Sequence, residues 1–187
     1  MTTTTHGTSR TAHLLALMTK GDDAFNARDF AAVDAVHHPD MVAYIRKLAA
    51  RSIVGLVSVV TAVGALQADF LSPIPASQHI RNPRWPGHAR FHNAQYVVMN
   101  ALLGSLGLVL LTSRKGDPDR NLLTAAAVVA TPWLGMYGAT RFPGTALFDE
   151  EFADVNHPIL GMNANVFIGT CCLSALAIAV GLDRRPA

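Results

Sequence analysis

Four long apolar segments follow one another along most of this chain, and they are separated by short polar connections. About 20 apolar residues at the helical rise of 1.5 Å per residue cross the hydrocarbon core of a bilayer. The pattern therefore predicts four membrane spans, at about residues 53–71, 93–112, 122–140 and 159–182. Pro132 lies within the third span, where it predicts a kink or a local break.

The segment before the first span has a different pattern. Between Thr11 and Phe30 the apolar residues recur among polar ones at roughly helical spacing, which is typical of an amphipathic helix. Pro39 ends this pattern, because proline restricts the residue before it and lacks an N–H donor. We expect an all-α fold with a four-helix transmembrane bundle preceded by a short amphipathic helix. The expected domains are a soluble N-terminal segment at 1–45 and a membrane domain at 46–187.

Composition supports a membrane protein and excludes some functions. Half of the 187 residues are hydrophobic, 15% are charged, and the mean hydropathy is +0.27. The formal charge of +2 leaves no basic surface for a nucleic acid. Cys171 and Cys172 are adjacent within an apolar segment, where a strain-free mutual disulfide is very rare.

The threonine-rich N-terminus does not have the pattern of a signal peptide, so we expect the internal helices to direct insertion. Met41 precedes the basic flank of the first span and is a candidate start of a shorter product. Basic residues before span one, between spans two and three and after span four outnumber those on the opposite side. The positive-inside rule then predicts cytoplasmic termini, and we expect the plasma membrane as the location.

The connection between the first two spans is the richest in chemistry. If residues 88–92 are helical, the spacing of His88 and His92 brings both imidazoles to one face, where they can ligate one divalent metal such as Zn²⁺. We also expect them to be candidate catalytic acid and base groups, with Asp69 at the end of span one as their charged partner. The connection between spans three and four contributes further candidate ligands: Asp149, Glu150, Glu151, Asp154 and His157.

Other residues around these positions are predicted to bind a polar group or a lipid headgroup: His79, Arg81, Trp85, Arg90, Asn93 and His157. Asp69 is expected to meet Arg81, Arg90 or a histidine. The alternative interpretation is an interfacial helix start anchored by Trp85, in which these side chains bond to headgroups and backbone. A histidine pair at this spacing also arises by chance.

The stretch from Leu14 to Tyr44 contains Phe25-Asn-Ala-Arg-Asp-Phe and His37-His-Pro-Asp, and it resembles the opening of SnoaL-like polyketide cyclases. That family folds as a small α+β barrel. The resemblance covers roughly the first quarter of the chain and stops where the sequence becomes basic and then apolar. The sheet that forms the family's pocket is missing, so we interpret residues 1 to about 45 as a fused remnant without activity or as a loosely docked amphipathic helix.

From about residue 46, and most specifically from Ile53 onward, the chain resembles a family of uncharacterised four-helix membrane proteins. The residues that carry this resemblance are Asp69, the segment His79-Ile-Arg-Asn-Pro-Arg-Trp-Pro-Gly-His-Ala-Arg-Phe-His-Asn and Phe142-Pro-Gly. The resemblance implies a fold and no particular reaction.

Two functions follow from the residues themselves. The first is a membrane enzyme acting on a lipid or a hydrophobic small molecule through His88, His92 and Asp69. The second is a non-catalytic binding or scaffold protein. Transport ranks third, because four spans offer little pathway without oligomerisation, and the sequence leaves the oligomeric state open. The lipid bilayer is the expected partner in every case.

Overall fold

The structure is a computed structural model that describes residues 6–36 and 39–184, with side chains described at 11–36 and 43–184. The described residues are largely helical and contain no β-strand. One isolated antiparallel bridge joins Ile159 and Met162. The predicted all-α fold with four long apolar helices is confirmed.

Nine helical segments follow in order along the described chain. They are α1 (His6–Asn26), α2 (Phe30–Val36), α3 (Pro39–Leu66), a π-helical turn (Gln67–Leu71), α4 (Pro73–Gln78), α5 (Gly87–Thr112), α6 (Pro118–Ala139), a 3-10 segment (Glu150–Val155) and α7 (Ala164–Asp183).

Four of these segments are long and apolar enough to cross a membrane: Ala43–Leu71, Gly87–Thr112, Pro118–Ala139 and Ala164–Asp183. The number of spans agrees with the prediction, but their boundaries differ. The second span begins at Gly87 rather than at residue 93. The fourth begins at Ala164 rather than at residue 159, because residues 159–162 form the bridged turn and the Asn163 side chain accepts a hydrogen bond from the Asn165 N–H.

The local break expected at Pro132 is absent, since α6 continues through this residue. Proline lacks the N–H that would reach the carbonyl four residues earlier, at Val128. The Thr131 hydroxyl donates to that carbonyl instead. A serine or threonine that compensates a freed carbonyl in this way allows a membrane helix to pass a proline without interruption.

The described residues divide into two compact units, one up to Arg46 and one from Lys47 onward. In the first unit α2 packs against α1 beside Gly21, where an added Cβ would lie 3.3 Å from the Val36 side chain. The Asp29 side chain accepts from the Ala32 N–H and caps α2. The proposed domain boundary near residue 45 remains a prediction.

Small and polar residues form much of the inside of the membrane unit. A Cβ added to Gly104 would lie 2.4 Å from the Ser58 carbonyl oxygen and from the Ala62 amide nitrogen, so α5 touches the backbone of α3 there. The indole N–H of Trp133 donates to the Thr61 hydroxyl at 3.1 Å and joins α6 to α3. Close backbone approach and interhelical hydrogen bonds of this kind hold membrane helices together, because lipid offers no hydrophobic drive between them.

Hydrogen bonds at the two ends of the bundle fix an up-and-down arrangement. At one end the Lys47 ammonium pairs with Asp119 at 2.7 Å, and Arg51 donates to the Leu111 carbonyl at the end of α5. At the other end the Asn156 amide donates to Gln78 Oε1 at 2.8 Å. The connections after spans one and three therefore meet at the same end, as expected for four antiparallel neighbours.

Candidate functional site

Asp69 lies in the π-helical turn that ends the first span, and its residue surface is 7% exposed. The Asn93 amide donates to Asp69 Oδ2 at 2.5 Å from the second turn of α5. The His79 Nδ1 atom lies 3.5 Å from Asp69 Oδ1. A π-helical turn inserts one extra residue into a helix and frequently marks a functional position. Here it places a carboxylate between an amide and an imidazole.

His79 follows α4 and has a fixed orientation. Its Nδ1 lies 2.8 Å from the Pro75 carbonyl oxygen, which can only accept, so Nδ1 carries the hydrogen. Among the described residues, Nε2 of His79 has no hydrogen-bond partner. Trp85 packs edge-on against the imidazole, with the ring centres 5.7 Å apart. The carbonyl, the carboxylate and the indole thus hold the ring so that its basic nitrogen remains available.

Asn82 organises the rest of this connection. The residue is 2% exposed, and its backbone carbonyl accepts from the Arg90 guanidinium at 2.8 Å. Its side-chain oxygen accepts from the Arg84 N–H at 2.9 Å, while the Arg84 guanidinium forms an ion pair with Glu151. These contacts tie the connection between spans one and two to the connection between spans three and four.

Two buried polar atoms near the start of α5 are unsatisfied. Nε of Arg90 and Oδ1 of Asn93 have no hydrogen-bond partner among the described residues. A buried polar group without a partner costs free energy, so such atoms are rare and call for a bound molecule or a functional role. The start of α5 thus offers one buried donor, on Arg90, and one buried acceptor, on the Asn93 side chain that also bonds to Asp69, to a polar ligand.

His88 and His92 form a second site on the outer surface of α5. Their Nε2 atoms are 3.1 Å apart, and both residues are exposed. Nδ1 of His92 lies 3.3 Å from the Gln95 side-chain oxygen, which accepts its hydrogen. A neutral His92 therefore presents a lone pair on Nε2 toward His88. The predicted i, i+4 juxtaposition is present, because the helix starts at Gly87.

The structure separates residues that we expected to act together. Asp69 meets His79, one of its expected partners, and makes no hydrogen bond or ion pair with His88 or His92. Successive helical residues point about 100° apart, so Asn93 faces Asp69 while His92 faces outward. The expected catalytic residues His88, His92 and Asp69 are therefore not joined by hydrogen bonds or ion pairs into one group, and their catalytic role stays a prediction.

The expectation that the connection between spans three and four completes a metal site is wrong for the described chain. Glu151 pairs with Arg84, and the exposed His157 has no hydrogen-bond or ion-pair partner there. No group of three or more His, Cys, Asp and Glu among the described residues is placed to hold a metal. The predicted binding residue Arg81 is likewise exposed and makes no hydrogen bond or ion pair with Asp69, whereas Trp85 packs on His79 and Asn93 bonds to Asp69.

Asn82 is the main contributor that the sequence analysis overlooked. Its place before Pro83 predicts a turn. Within that turn the Asn82 side-chain oxygen accepts a hydrogen bond from the Arg84 N–H. Its pairing with Glu151, 69 residues away, depends on the packing of the spans and has no local signal.

Comparison with known proteins bears on the fold and family only. It finds no match among the curated proteins or among the solved structures, and it does not support the resemblance of the N-terminal segment to SnoaL-like cyclases. A family model matches residues 53–184, which include every candidate site residue. The match spans more than half of the chain, so this protein belongs to the family of unknown function DUF6640.

Proposed function

We propose that this membrane protein is an enzyme that acts on a lipid-like or hydrophobic small molecule, with His79 as general base and Asp69 as the residue that positions it. The observation that carries the proposal is the fixed imidazole: Nδ1–H is directed at the Pro75 carbonyl beside Asp69, and Nε2 is unbonded among the described residues. A histidine held in this way can take a proton from a substrate hydroxyl or water.

The position of the site indicates the class of substrate. Asp69 closes one apolar span and Asn93 lies near the start of the next, so both are near the end of the bundle rather than at its centre. A substrate that reaches them can leave an apolar tail among lipid chains and present a polar group to Asp69 and Arg90. The free Nε of Arg90 and Oδ1 of Asn93 are suited to bind that polar group.

The proposal is tested by comparing the lipids and hydrophobic metabolites of cells that produce wild type, His79→Gln or Asp69→Asn, with Arg81→Gln as the matched control. Arg81 is exposed in the same connection and makes no hydrogen bond or ion pair with Asp69 or His79. We expect one class of molecule to change in amount with wild type and R81Q and not with H79Q or D69N. Equal lipid and metabolite profiles for all four proteins, at equal folded amounts in the membrane, would contradict an enzymatic role.

The second candidate is a non-catalytic binding or scaffold protein. It is favoured by the contacts between Asn82, Arg84 and Glu151, which hold two connections together and present a single surface to a partner. This candidate predicts that D69N and Arg84→Gln alter association or stability while the lipid and metabolite profile stays constant. Mass spectrometry of the intact protein with its bound lipids distinguishes the two candidates, since a scaffold retains a molecule without converting it.

We also propose that both termini lie in the cytoplasm and that the protein resides in the plasma membrane. The end of the bundle with Lys47 and Arg51 carries most of the lysine and arginine of the described membrane unit, in support of this orientation. Attachment of a membrane-impermeant reagent to cysteines introduced at Lys115 and at Pro158 tests it in intact cells. Labelling at 158 and not at 115 is expected, and the reverse would contradict the orientation.

A further inference from the structure

The His88–His92 pair is outside the contacts that define the proposed base. Neither histidine bonds to Asp69 or His79, and both lie on the outer face of α5 in its first two turns. A function of this pair is therefore independent of the proposed enzymatic role of His79 and Asp69.

The geometry of the pair fits two ligands of one metal ion. Imidazole nitrogens bind Zn²⁺ at about 2.0–2.1 Å, and two of them at the tetrahedral angle lie roughly 3.3 Å apart. The observed separation of the two Nε2 atoms is 3.1 Å. A movement of a few tenths of an ångström, which exposed side chains make freely, brings both nitrogens to ligating distance. The i, i+4 spacing on a rigid helix fixes their direction in advance.

Gln95 adds a second, independent feature of a metal site. Histidine ligands commonly donate their other ring N–H to an oxygen, which fixes the tautomer and the ring orientation and makes the ligating nitrogen more basic. Nδ1 of His92 is directed at the Gln95 side-chain oxygen at 3.3 Å, so Nε2 is the nitrogen left to ligate. In helical order His88, His92 and Gln95 lie along one side of α5, one turn after another.

We propose that His88 and His92 chelate one divalent transition-metal ion, such as Zn²⁺, with Gln95 positioning His92. Since no third His, Cys, Asp or Glu of the described chain joins them, at least two coordination positions remain for water or an external ligand. The site thus belongs to the open type of metal centre, which binds an exchangeable molecule, rather than to the closed structural type.

The test uses the full chain, purified in detergent with a tag that contains no histidine. Equilibrium dialysis against Zn²⁺, followed by elemental analysis, compares wild type with His88→Ala, His92→Ala, Gln95→Leu and His157→Ala. His157 is the matched control, because it is an exposed histidine with no partner among the described residues. The difference in bound Zn²⁺ between the variants measures binding at this site separately from binding at other histidines of the chain.

We expect the two alanine variants at 88 and 92 to bind one equivalent of Zn²⁺ less than wild type and His157→Ala. Gln95→Leu should keep the stoichiometry but bind about 10–100-fold more weakly, as is usual when a supporting hydrogen bond to a ligand is lost. Because all the altered side chains are exposed, their thermal unfolding should match that of wild type, which shows that the loss is local. Equal Zn²⁺ binding by wild type and both alanine variants would overturn the proposal. The two imidazoles would then be joined only by the hydrogen bond between their Nε2 atoms.

Discussion

The polarity of the two faces of α5 is the reverse of that in a helix of a soluble protein. Its inward face is rich in polar and small residues, whereas its outward face carries large apolar side chains with a histidine pair at one end. The inward residues are Asn93, Val97, Asn100, Gly104, Gly107 and Leu111, all buried except for the half-buried Asn93. The exposed apolar ones include Tyr96, Val98, Met99, Leu102, Leu106 and Val109.

The spacing of the inward residues explains how one helix serves both faces. Alternating steps of four and three residues follow one side of a helix, and this is the repeat of helices packed at a shallow angle. Since lipid covers the apolar side, polarity and small size identify the inside here, and hydropathy alone does not. The polar residues of the inward face include Asn93, which bonds to Asp69, whereas the outward histidines bond to each other and are exposed.

The largest loss of stability is expected from Gly104→Ala. The new Cβ would meet the backbone of Ser58 and Ala62 at 2.4 Å, and backbone cannot move aside as a flexible side chain can. We expect α5 and α3 to separate and the stability to fall by about 1–3 kcal/mol or more. Thermal unfolding in detergent measures this loss.

Gly55→Ala is the control for that variant, because its Cβ would make an ordinary contact at 3.7 Å with Leu111. Alanine is favoured over glycine within a helix by roughly 0.5–1 kcal/mol, so this change should leave stability equal or higher. Equal losses from the two variants would contradict the close approach at Gly104.

A smaller loss of stability is expected when side-chain amides of α5 are replaced, and two amides that lie two residues apart give a matched comparison. Asn93→Leu removes the donor to the Asp69 carboxylate and should cost about 1.5–3 kcal/mol, the range for hydrogen bonds to charged groups. Gln95→Leu changes an exposed residue of the outward face and should shift stability by less than about 0.5 kcal/mol. Chemical unfolding of both variants in the same detergent gives the comparison, and the reverse order would contradict the assignment of the faces.

The histidines should contribute still less to folding. Replacing both His88 and His92 by alanine removes two exposed rings, so we expect the unfolding free energy to change by no more than about 0.5 kcal/mol in metal-free buffer. Added Zn²⁺ should raise the unfolding temperature of wild type and not of the double variant, because a ligand stabilises the folded state that binds it. A large loss in metal-free buffer would indicate a structural role for the pair.

The smallest effect concerns Asp117, outside the spans and distant from both candidate sites. Backbone N–H groups of Arg120 and Asp119 donate to this N-cap carboxylate and lower its pKa. The folded state therefore binds this proton less readily than the unfolded chain, and the carboxylate stabilises at pH values above its ordinary pKa. This contribution is lost as the pH falls through the lowered value. The difference in unfolding free energy between wild type and Asp117→Ala should thus become smaller in acid. Unfolding at several pH values measures this difference, and a larger difference in acid would contradict the prediction.

Hydropathy was sufficient to predict the all-α fold and the number of spans, because both depend only on the length and spacing of apolar residues. It placed the start of the second span too late. The first turn of α5 contains His88 and Arg90, whose polarity lowers the average although their backbone is helical. The turn before α7 was included in a span because Ile159 and Leu160 are apolar, although both are exposed in a bridged turn.

The juxtaposition of His88 and His92 was predictable from the sequence, whereas the partner of Asp69 and the part played by Asn82 were not. The spacing of His88 and His92 was enough to place them together, since it is local to one helix. The choice of His79 as the partner of Asp69 depends on the π-helical turn, whose extra residue rotates the carboxylate, and nothing in the local sequence indicates such a turn. The contact of Asn82 with Glu151 likewise follows from helix packing.

The central claim is that α5 crosses the bilayer with its polar side inward and its apolar side on lipid. Spin labels at Leu102, on the apolar side, and at Ser113, just beyond the helix, test it most directly in a chain whose two cysteines are replaced by alanine. We predict that dissolved oxygen reaches the label at 102 and water-soluble chromium oxalate does not, with the opposite preference at 113. Equal access of chromium oxalate to both labels in lipid vesicles would contradict the claim.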